Sequence, residues 1–391
     1  MGYRTYTCPI AKSCGGCEWL AVPYPIQLKR KQAAVEALFA DVVSADHARL
    51  LPIVGMAEPV AYRHKAATPF APGTHGRIRS GFYASGTHRI VPCARCLVEA
   101  PLCRETLNAV ARAAEDLNVP AYDEDAGKGL LRHAIVRAGW KTDDLLLTIV
   151  TNGQALRHAE SFLKALAGLA PHVTGIVQNV NQRRTNAMLG PESSPLSGPG
   201  TMHDQLLGCT FEIGPTSFYQ TNPEQTEPLY RAAIDGLRLE PGMRLLDAYC
   251  GIGSIGICAA RATPGVEVVG VEKGRDAVAC ARRNAEANGL AGRARFVAAD
   301  ATAYMRDAKK AGAGYDAVVL DPPRTGSTVT FLDGVCSLAP ARVAYVSCNP
   351  ETQARDVALL RRGGYVLDSL QAVDLFPHTR HVESVAILSR P

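Results

Sequence analysis

Leu245-Leu246-Asp247-Ala248-Tyr249-Cys250-Gly251-Ile252-Gly253-Ser254-Ile255-Gly256 reads as a strand that meets an acidic residue, passes through a glycine-rich turn and opens a helix. The glycines let the backbone approach a ligand closely, where any Cβ would intervene. A G-x-G-x-x-G turn serves several nucleotide-type cofactors and does not choose among them alone. Glu272 ends the next strand-like run (VVGVE), about 20 residues on, where a carboxylate can accept ribose hydroxyls. Around this core the runs LLDAY, VEVVGVE, ARFVAAD, YDAVVLD, RVAYVS and YVLDSLQAVDLF alternate with helical segments. That alternation predicts a doubly wound α/β domain with a mostly parallel sheet. The last run, residues 382–388, follows residues 365–373 with no helix between them, so it is expected to pair antiparallel at or near the sheet edge.

In sheets of this kind ligands bind at the carboxyl ends of the strands. Asp321 stands there, opening Asp321-Pro322-Pro323-Arg324 after the run 317–320, and the two prolines make a rigid corner. Cys348 stands there too, in Ser347-Cys348-Asn349-Pro350 after the run 343–346. A lone Cys after a strand is ordinarily a small core residue. Asp247, Glu272, Asp321 and Cys348 nevertheless all fall at or just beyond the ends of successive predicted strands, which packing does not explain. A thiol so placed is a candidate nucleophile. Glu383, in His381-Val382-Glu383-Ser384, is a candidate general base if it faces the same rim; by itself an exposed strand-end charge would be commoner.

The 391 residues suffice for two or three domains, and 47% hydrophobic with 20% charged residues is ordinary for a soluble globular protein. No apolar run approaches the ~20 residues needed to span a bilayer, and residues 1–20 carry no signal-peptide core, so a cytoplasmic protein is expected. Twelve cysteines in such a compartment point to metal or catalysis. Cys8, Cys14, Cys17, Cys93, Cys96 and Cys103 lie in the first 103 residues. Residues 1–112 hold 14 Lys/Arg against 7 Asp/Glu, and the overall +5 leaves a net −2 for the remainder. A basic, cysteine-bearing region fits a polyanion such as nucleic acid. Two C-x2-C pairs, Cys14/Cys17 and Cys93/Cys96, suit a four-thiolate zinc site. Three clustered cysteines, Cys8, Cys14 and Cys17, plus one distant Cys suit a [4Fe–4S] cluster.

Elsewhere the pattern predicts a helix over residues 24–39, with Leu28, Gln32, Val35, Leu38 and Phe39 near one face and Lys29-Arg30-Lys31 as a solvent-side basic patch. Residues 63–89 are strand-like, and a helix follows Pro101 to residue 117. Residues 130–138 and 145–151 form a hairpin, 153–170 a helix, 173–179 a strand and 191–200 (PESSPLSGPG) a loop. Three regions are expected: a Cys-rich basic one over 1–105, the rest of a central α+β domain over 106–212, and the α/β domain over 213–391.

Six stretches, in order, resemble the RNA 5-methyluridine methyltransferases that carry an iron–sulfur cluster. They are the start with CGGC, Cys96-Leu97-Val98-Glu99-Ala100-Pro101, Ser217-Phe218-Tyr219-Gln220-Thr221-Asn222, DAYCGIG, DPPR, and SCNP followed by HVES. The resemblance implies a class I S-adenosylmethionine-dependent methyltransferase fold with an N-terminal α+β domain carrying a Cys-ligated cluster. It implies methylation of uridine C5 in RNA, with Cys348 as nucleophile and Glu383 as general base. Gln220, Tyr249, Glu272 and Asp321 become the cofactor-contacting positions. Cys8, Cys14, Cys17 and Cys96 become ligands of a [4Fe–4S] cluster, with zinc as the alternative and Cys93 as the competitor of Cys96.

Some members begin with a small β-barrel RNA-binding domain, for which Cys8 lies too close to Met1. With residues 370–379 (LQAVDLFPHT), this makes the chain most similar to the RlmC type, which modifies 23S ribosomal RNA; tRNA is the alternative target. RNA is the expected partner, with no membrane and no protein partner. The contrasting expectation is a metal-binding RNA module with an inactive methyltransferase domain, against which the intact set of Gln220, Tyr249, Glu272, Asp321 and Cys348 speaks.

Overall fold

A computed structural model describes residues 4–153, 156 and 159–391. One sheet has eight strands, in spatial order Arg49–Val54, Val366–Val373, Glu383–Ser389, Arg342–Ser347, Ala317–Leu320, Arg244–Ala248, Glu267–Glu272 and Ala294–Ala298. The last five of these pair in parallel. Glu383–Ser389 runs antiparallel to both neighbours. The strand order reverses beside Arg244–Ala248, and the arrangement is that of the class I S-adenosylmethionine-dependent methyltransferases, the α/β class expected. Both faces are buried, as near-continuous apolar strands require. Leu245, Val319, Ala344 and Val346 meet the helices Pro223–Leu237, Ser254–Ala262 and Arg275–Ala287 on one face. Leu246, Val318, Leu320 and Tyr345 meet Phe331, Val357 and Phe39 on the other.

The final strand pairs antiparallel, as expected. It lies deeper than the edge, covered by Val366–Val373 and then by Arg49–Val54. Its first six residues are all buried, a burial that two strands outside it supply. The outermost strand, Arg49–Val54, comes from the Cys-rich end and pairs in parallel with Val366–Val373. The expected region 1–105 thus contributes a strand to the sheet otherwise built from residues 244–389.

The helix Tyr24–Asp46 leads into it, seven residues longer than its apolar pattern indicated. Val35 and Phe39 face the sheet, whereas Leu38 is 43% exposed. The solvent-side patch is corrected. Lys29 and Arg30 are exposed, but Lys31 is buried, and its Nζ donates to Asp374 Oδ1 at 2.6 Å and to the Phe376 carbonyl at 3.0 Å. A partner 343 positions away outweighs the local run of charge.

The second sheet runs Ile90–Pro92, Ile78–Tyr83, Lys65–Pro72, Leu131–Ala138, Leu145–Thr151, Gly175–Val180 and Glu192–Ser197. The expected hairpin, Leu131–Ala138 with Leu145–Thr151, is its centre. Glu192–Ser197, expected as loop, is a strand antiparallel to Gly175–Val180. Its Pro195 is tolerated because the strand is at the edge. Helices Cys103–Asp116 and Ala159–Leu169 cover one face of this sheet through Leu107, Val110, Phe162 and Leu166. Residues 154, 155, 157 and 158, at the start of the helix expected over 153–170, lie outside the described residues. The hairpin Met202–Leu206/Cys209–Ile213 joins the two halves, burying Met202, Phe211 and Ile213 in the core of the eight-stranded sheet.

Candidate active site

The glycine-rich turn after Arg244–Ala248 adopts left-handed backbone at Tyr249 (φ 63°), Gly251 (φ 54°) and Gly253 (φ 82°). At Gly253 a Cβ would also lie 2.8 Å from the Phe296 ring, so side chains are excluded twice over. The Gly256 N–H donates to Asp247 Oδ2 at 2.8 Å. Asp247 is buried, and burial pushes it up to about 7; the Gly256 amide opposes this while Asp321 and Glu272 add to it. Its role is therefore to tie the turn, behind the ligand-facing surface. Glu272, at the end of the adjacent strand, accepts the Gly274 N–H at 2.8 Å and the Gly251 N–H at 3.3 Å.

These strand ends open on a cleft of about 810 Å³. Gln220, Tyr249, Glu272, Asp321, Cys348 and Glu383, the six expected site residues outside the cysteine cluster, all line it. The volume is that of a small-molecule or cofactor site, for which about 300–1,000 Å³ is usual. The cradle fits a nucleoside cofactor. Glu272 is fixed at the rim by two backbone amides, Tyr249 stands over Phe331 with ring centroids 5.3 Å apart, and Gln220 lines the wall just before the Asn222 cap of Pro223–Leu237.

Antiparallel pairing brings two of the expected site residues together. Ser347 is the register partner of Ser384, so Cys348 and Glu383, the next residues outward on each strand, leave the sheet side by side. Cys348 is half-buried, and burial, then Glu383 and Asp321, push it up to about 11, against Arg324. Glu383 is buried, and burial, then Asp321, push it up to about 8, again against Arg324. Burial also lifts Asp321 to about 7. Three acidic groups thus share one low-dielectric rim, and Arg324 is the cation that opposes the upward shifts of Cys348 and Glu383. Asn349 Nδ2 and Thr352 Oγ1 donate to the Arg324 carbonyl at 3.0 and 3.2 Å, locking the DPPR corner to the SCNP turn. The groups can form a thiolate, accept a proton and hold a polar ring edge.

The cysteines form a separate group. Cys17 is pushed up to about 12, by burial first and then by the neighbouring thiols of Cys96, Cys14 and Cys8. Cys17 and Cys96 both pack against Tyr24, Met56, Tyr62 and Val98. Cys93 is buried, its thiol turned to the Arg95 carbonyl at 3.1 Å. Among the described residues no three His, Cys, Asp or Glu side chains converge closely enough to hold a metal ion. The same residues include no helix long and apolar enough to cross a membrane.

Sequence reasoning gave no role to Arg63, Phe218, Arg324, Phe376 and His381, which also line the cleft. Phe218 is 66% exposed, an unusual position for a large apolar ring and the one of these that burial alone would flag. Arg324, Phe376 and His381 stood inside quoted motifs, but nothing in their spacing marked them as cleft residues.

The model of the tRNA (uracil-5-)-methyltransferase family matches residues 207–391. Along nearly the whole chain there is 37% identity, over 381 residues, to an uncharacterized RNA methyltransferase of Halalkalibacterium halodurans, covering 97% of this chain and 82% of that one. An uncharacterized RNA methyltransferase of Staphylococcus aureus is 38% identical over 382 residues, covering 98% and 83%. Among solved structures, the Pyrococcus abyssi tRNA (uracil-54, C5)-methyltransferase in complex with S-adenosyl-L-homocysteine superposes with a TM-score of 0.77 at 26% identity, covering 95% of this chain and 85% of that one.

Proposed function

The chain belongs to the RNA (uracil-5-)-methyltransferase family, S-adenosylmethionine-dependent RNA-modifying enzymes, and from that premise we propose that it methylates uridine C5 in 23S ribosomal RNA through a covalent Cys348 adduct. The carrying observation is the pairing of Ser347 with Ser384, which sets Cys348 beside Glu383 on the rim that also holds Asp321. S-adenosylmethionine supplies an electrophilic methyl group when bound, and Gln220, Tyr249, Glu272 and Asp321 are the residues that would hold it. Uracil C5 is too weakly nucleophilic to take that methyl unaided. The Cys348 thiolate adds to C6, and the ring electrons move to C5 and the C4 carbonyl oxygen. C5, made nucleophilic in this way, would take the methyl group the cofactor supplies, with the pair of the broken sulfur–methyl bond left on the cofactor sulfur. Glu383 removes the C5 proton, and the C6–S bond breaks to return the thiolate and the aromatic base. The target base must leave its stack to enter the cleft. Phe218, exposed at the mouth, offers a ring to receive it.

Residues 370–379 support the ribosomal target. The tRNA specificity of the Pyrococcus abyssi protein supports tRNA as the second reading. Mapping 5-methyluridine in ribosomal RNA and tRNA from cells with and without the gene separates them. Cys348→Ala should trap no covalent adduct with 5-fluorouridine RNA and should lower turnover on the order of 10⁴-fold or more. An alanine variant with full turnover would remove the covalent mechanism.

For the cysteines we propose Cys8, Cys14, Cys17 and Cys96 as ligands of a [4Fe–4S] cluster. The thiols felt by Cys17 are those three, and the turned-away Cys93 thiol is the poorer candidate. A cluster seats its thiolates at separate corners, so it does not need the close convergence a single zinc ion requires. Anaerobically purified protein should contain iron and absorb near ~400 nm. Cys96→Ala should lose both, and Cys93→Ala should keep both.

A further inference from the structure

We infer that Arg63, Lys65 and Arg137, with the Thr221 hydroxyl, form a phosphate cradle beside the cleft, which grips a backbone phosphate of the RNA strand delivering the target uridine. The inference rests on the uridine-C5 reaction proposed above and adds the place where the strand is held.

Lys65 and Arg137 are direct cross-strand partners in the antiparallel pair Lys65–Pro72/Leu131–Ala138, so their side chains leave the same face side by side. Like charges directly opposite one another destabilise a sheet. Burial, then Arg137 and Arg63, pull Lys65 down to about 8. Burial pulls Arg137 down to about 10. Arg137 is only 4% exposed; its Nη2 donates to the Ser217 and Pro215 carbonyls, while its Nε is buried without a partner. Buried Arg132 donates to the Asn181 and Arg183 carbonyls, whereas two other buried cations have a carboxylate, Asp374 for Lys31 and Glu99 for Arg104. Among the described residues none of Arg63, Lys65 and Arg137 has one.

Thr221 places the cluster. Its carbonyl accepts the His64 N–H at 2.8 Å, so it sits against the segment between Arg63 and Lys65. Its own Oγ1 is buried without a partner, and both Thr221 and Arg63 line the cleft. Three cations and a hydroxyl without a mutual acceptor call for an anion that accepts several hydrogen bonds at once. A phosphodiester does so, and the guanidinium fork suits it. The other anion that could enter this cleft is the cofactor's carboxylate, which the test below separates.

The test uses the full chain. Lys65→Gln should weaken binding of the RNA in which the wild type forms 5-methyluridine on the order of 10-fold at low salt. The slope of log K against log[salt] should become shallower by about 0.7, one phosphate's worth for a single strand. S-adenosylmethionine affinity, by calorimetry, should stay at the wild-type value, Lys65→Arg should restore RNA binding, and sodium pyrophosphate should raise the wild-type melting temperature more than that of Lys65→Gln. Wild-type RNA affinity and slope in Lys65→Gln, or a loss of cofactor affinity instead, would overturn the cradle. Absence of 5-methyluridine in any RNA treated with the wild type would overturn the uridine-C5 reaction, leaving the cradle to be decided by the pyrophosphate melts.

Discussion

Glu383 and Cys348 hold their protons too tightly for work at neutral pH, because each is buried and each sits near other acids. Two measurable consequences follow from the lifted carboxyl. With Glu383 as the proposed base, turnover at low substrate should climb with pH toward about 8, where its carboxyl loses its proton. Stability should move the other way. Glu383 binds its proton more tightly folded (about 8) than at its ordinary value of 4.5, so its stabilisation is complete below 4.5, erodes across that window and is gone above about 8. Glu383→Gln should therefore melt at a higher temperature than the wild type at pH 9, match it more closely at pH 5, and lose turnover at both. Thermal melts and methyl-transfer rates at the two pH values check both halves. A Gln variant destabilised at pH 9 would show that the carboxylate is held by a partner and not tolerated for function.

The turn between Val366–Val373 and Glu383–Ser389 carries Phe376 and His381 into the cleft. It is held from the far end of the chain. Trp19 N–H donates to the His378 carbonyl at 2.9 Å, Gln27 Oε1 accepts the His378 N–H at 2.8 Å, and the Tyr62 hydroxyl donates to the Pro377 carbonyl at 3.0 Å. Lys31 meets Asp374, whose other oxygen is buried without a partner. Breaking a buried ion pair from one side costs about 3–5 kcal/mol, because the remaining charge is stranded. Lys31→Met should lower unfolding free energy by roughly that amount and reduce kcat, both read from urea titration and rates. Adding Asp374→Leu should recover most of the stability, since an apolar pair of similar volume is often neutral or better. The glycine turn is tight for a different reason: at Gly256 a Cβ would meet Val268 at 2.7 Å and the Asp247 carboxylate at 2.8 Å. Gly256→Ala should cost about 1–3 kcal/mol and weaken cofactor binding by moving Asp247.

Across the whole molecule, the Cys-rich end and the catalytic end are one mechanical unit. Arg49–Val54 closes the edge of the catalytic sheet, and Trp19, two residues beyond Cys17, is bonded to the catalytic turn. If the four cysteines hold a cluster, removing iron should loosen residues 374–381 although none of them is a ligand. Hydrogen exchange of iron-loaded and iron-free protein should show faster exchange in that segment and in residues 8–20, with the Leu131–Ala138 strand unchanged. Equal exchange in both forms would separate the cysteine group from catalysis.

Much of this protein is local in the chain and was legible there. Each apolar strand or helix, the glycine turn at residues 251–256, and each chemistry-bearing residue at a strand end is written in a short stretch of consecutive residues. Local periodicity specifies them because side-chain direction repeats every two or 3.6 residues. What the tertiary structure decided is long-range pairing. The antiparallel register of Ser347 with Ser384 made neighbours of Cys348 and Glu383, 35 positions apart. The burial of Lys31 required Asp374, and the strand Glu192–Ser197 required the open edge of Gly175–Val180 to override a loop-like composition. No window of sequence contains both members of such a pair, so the energy that fixes them appears only when the chain closes on itself.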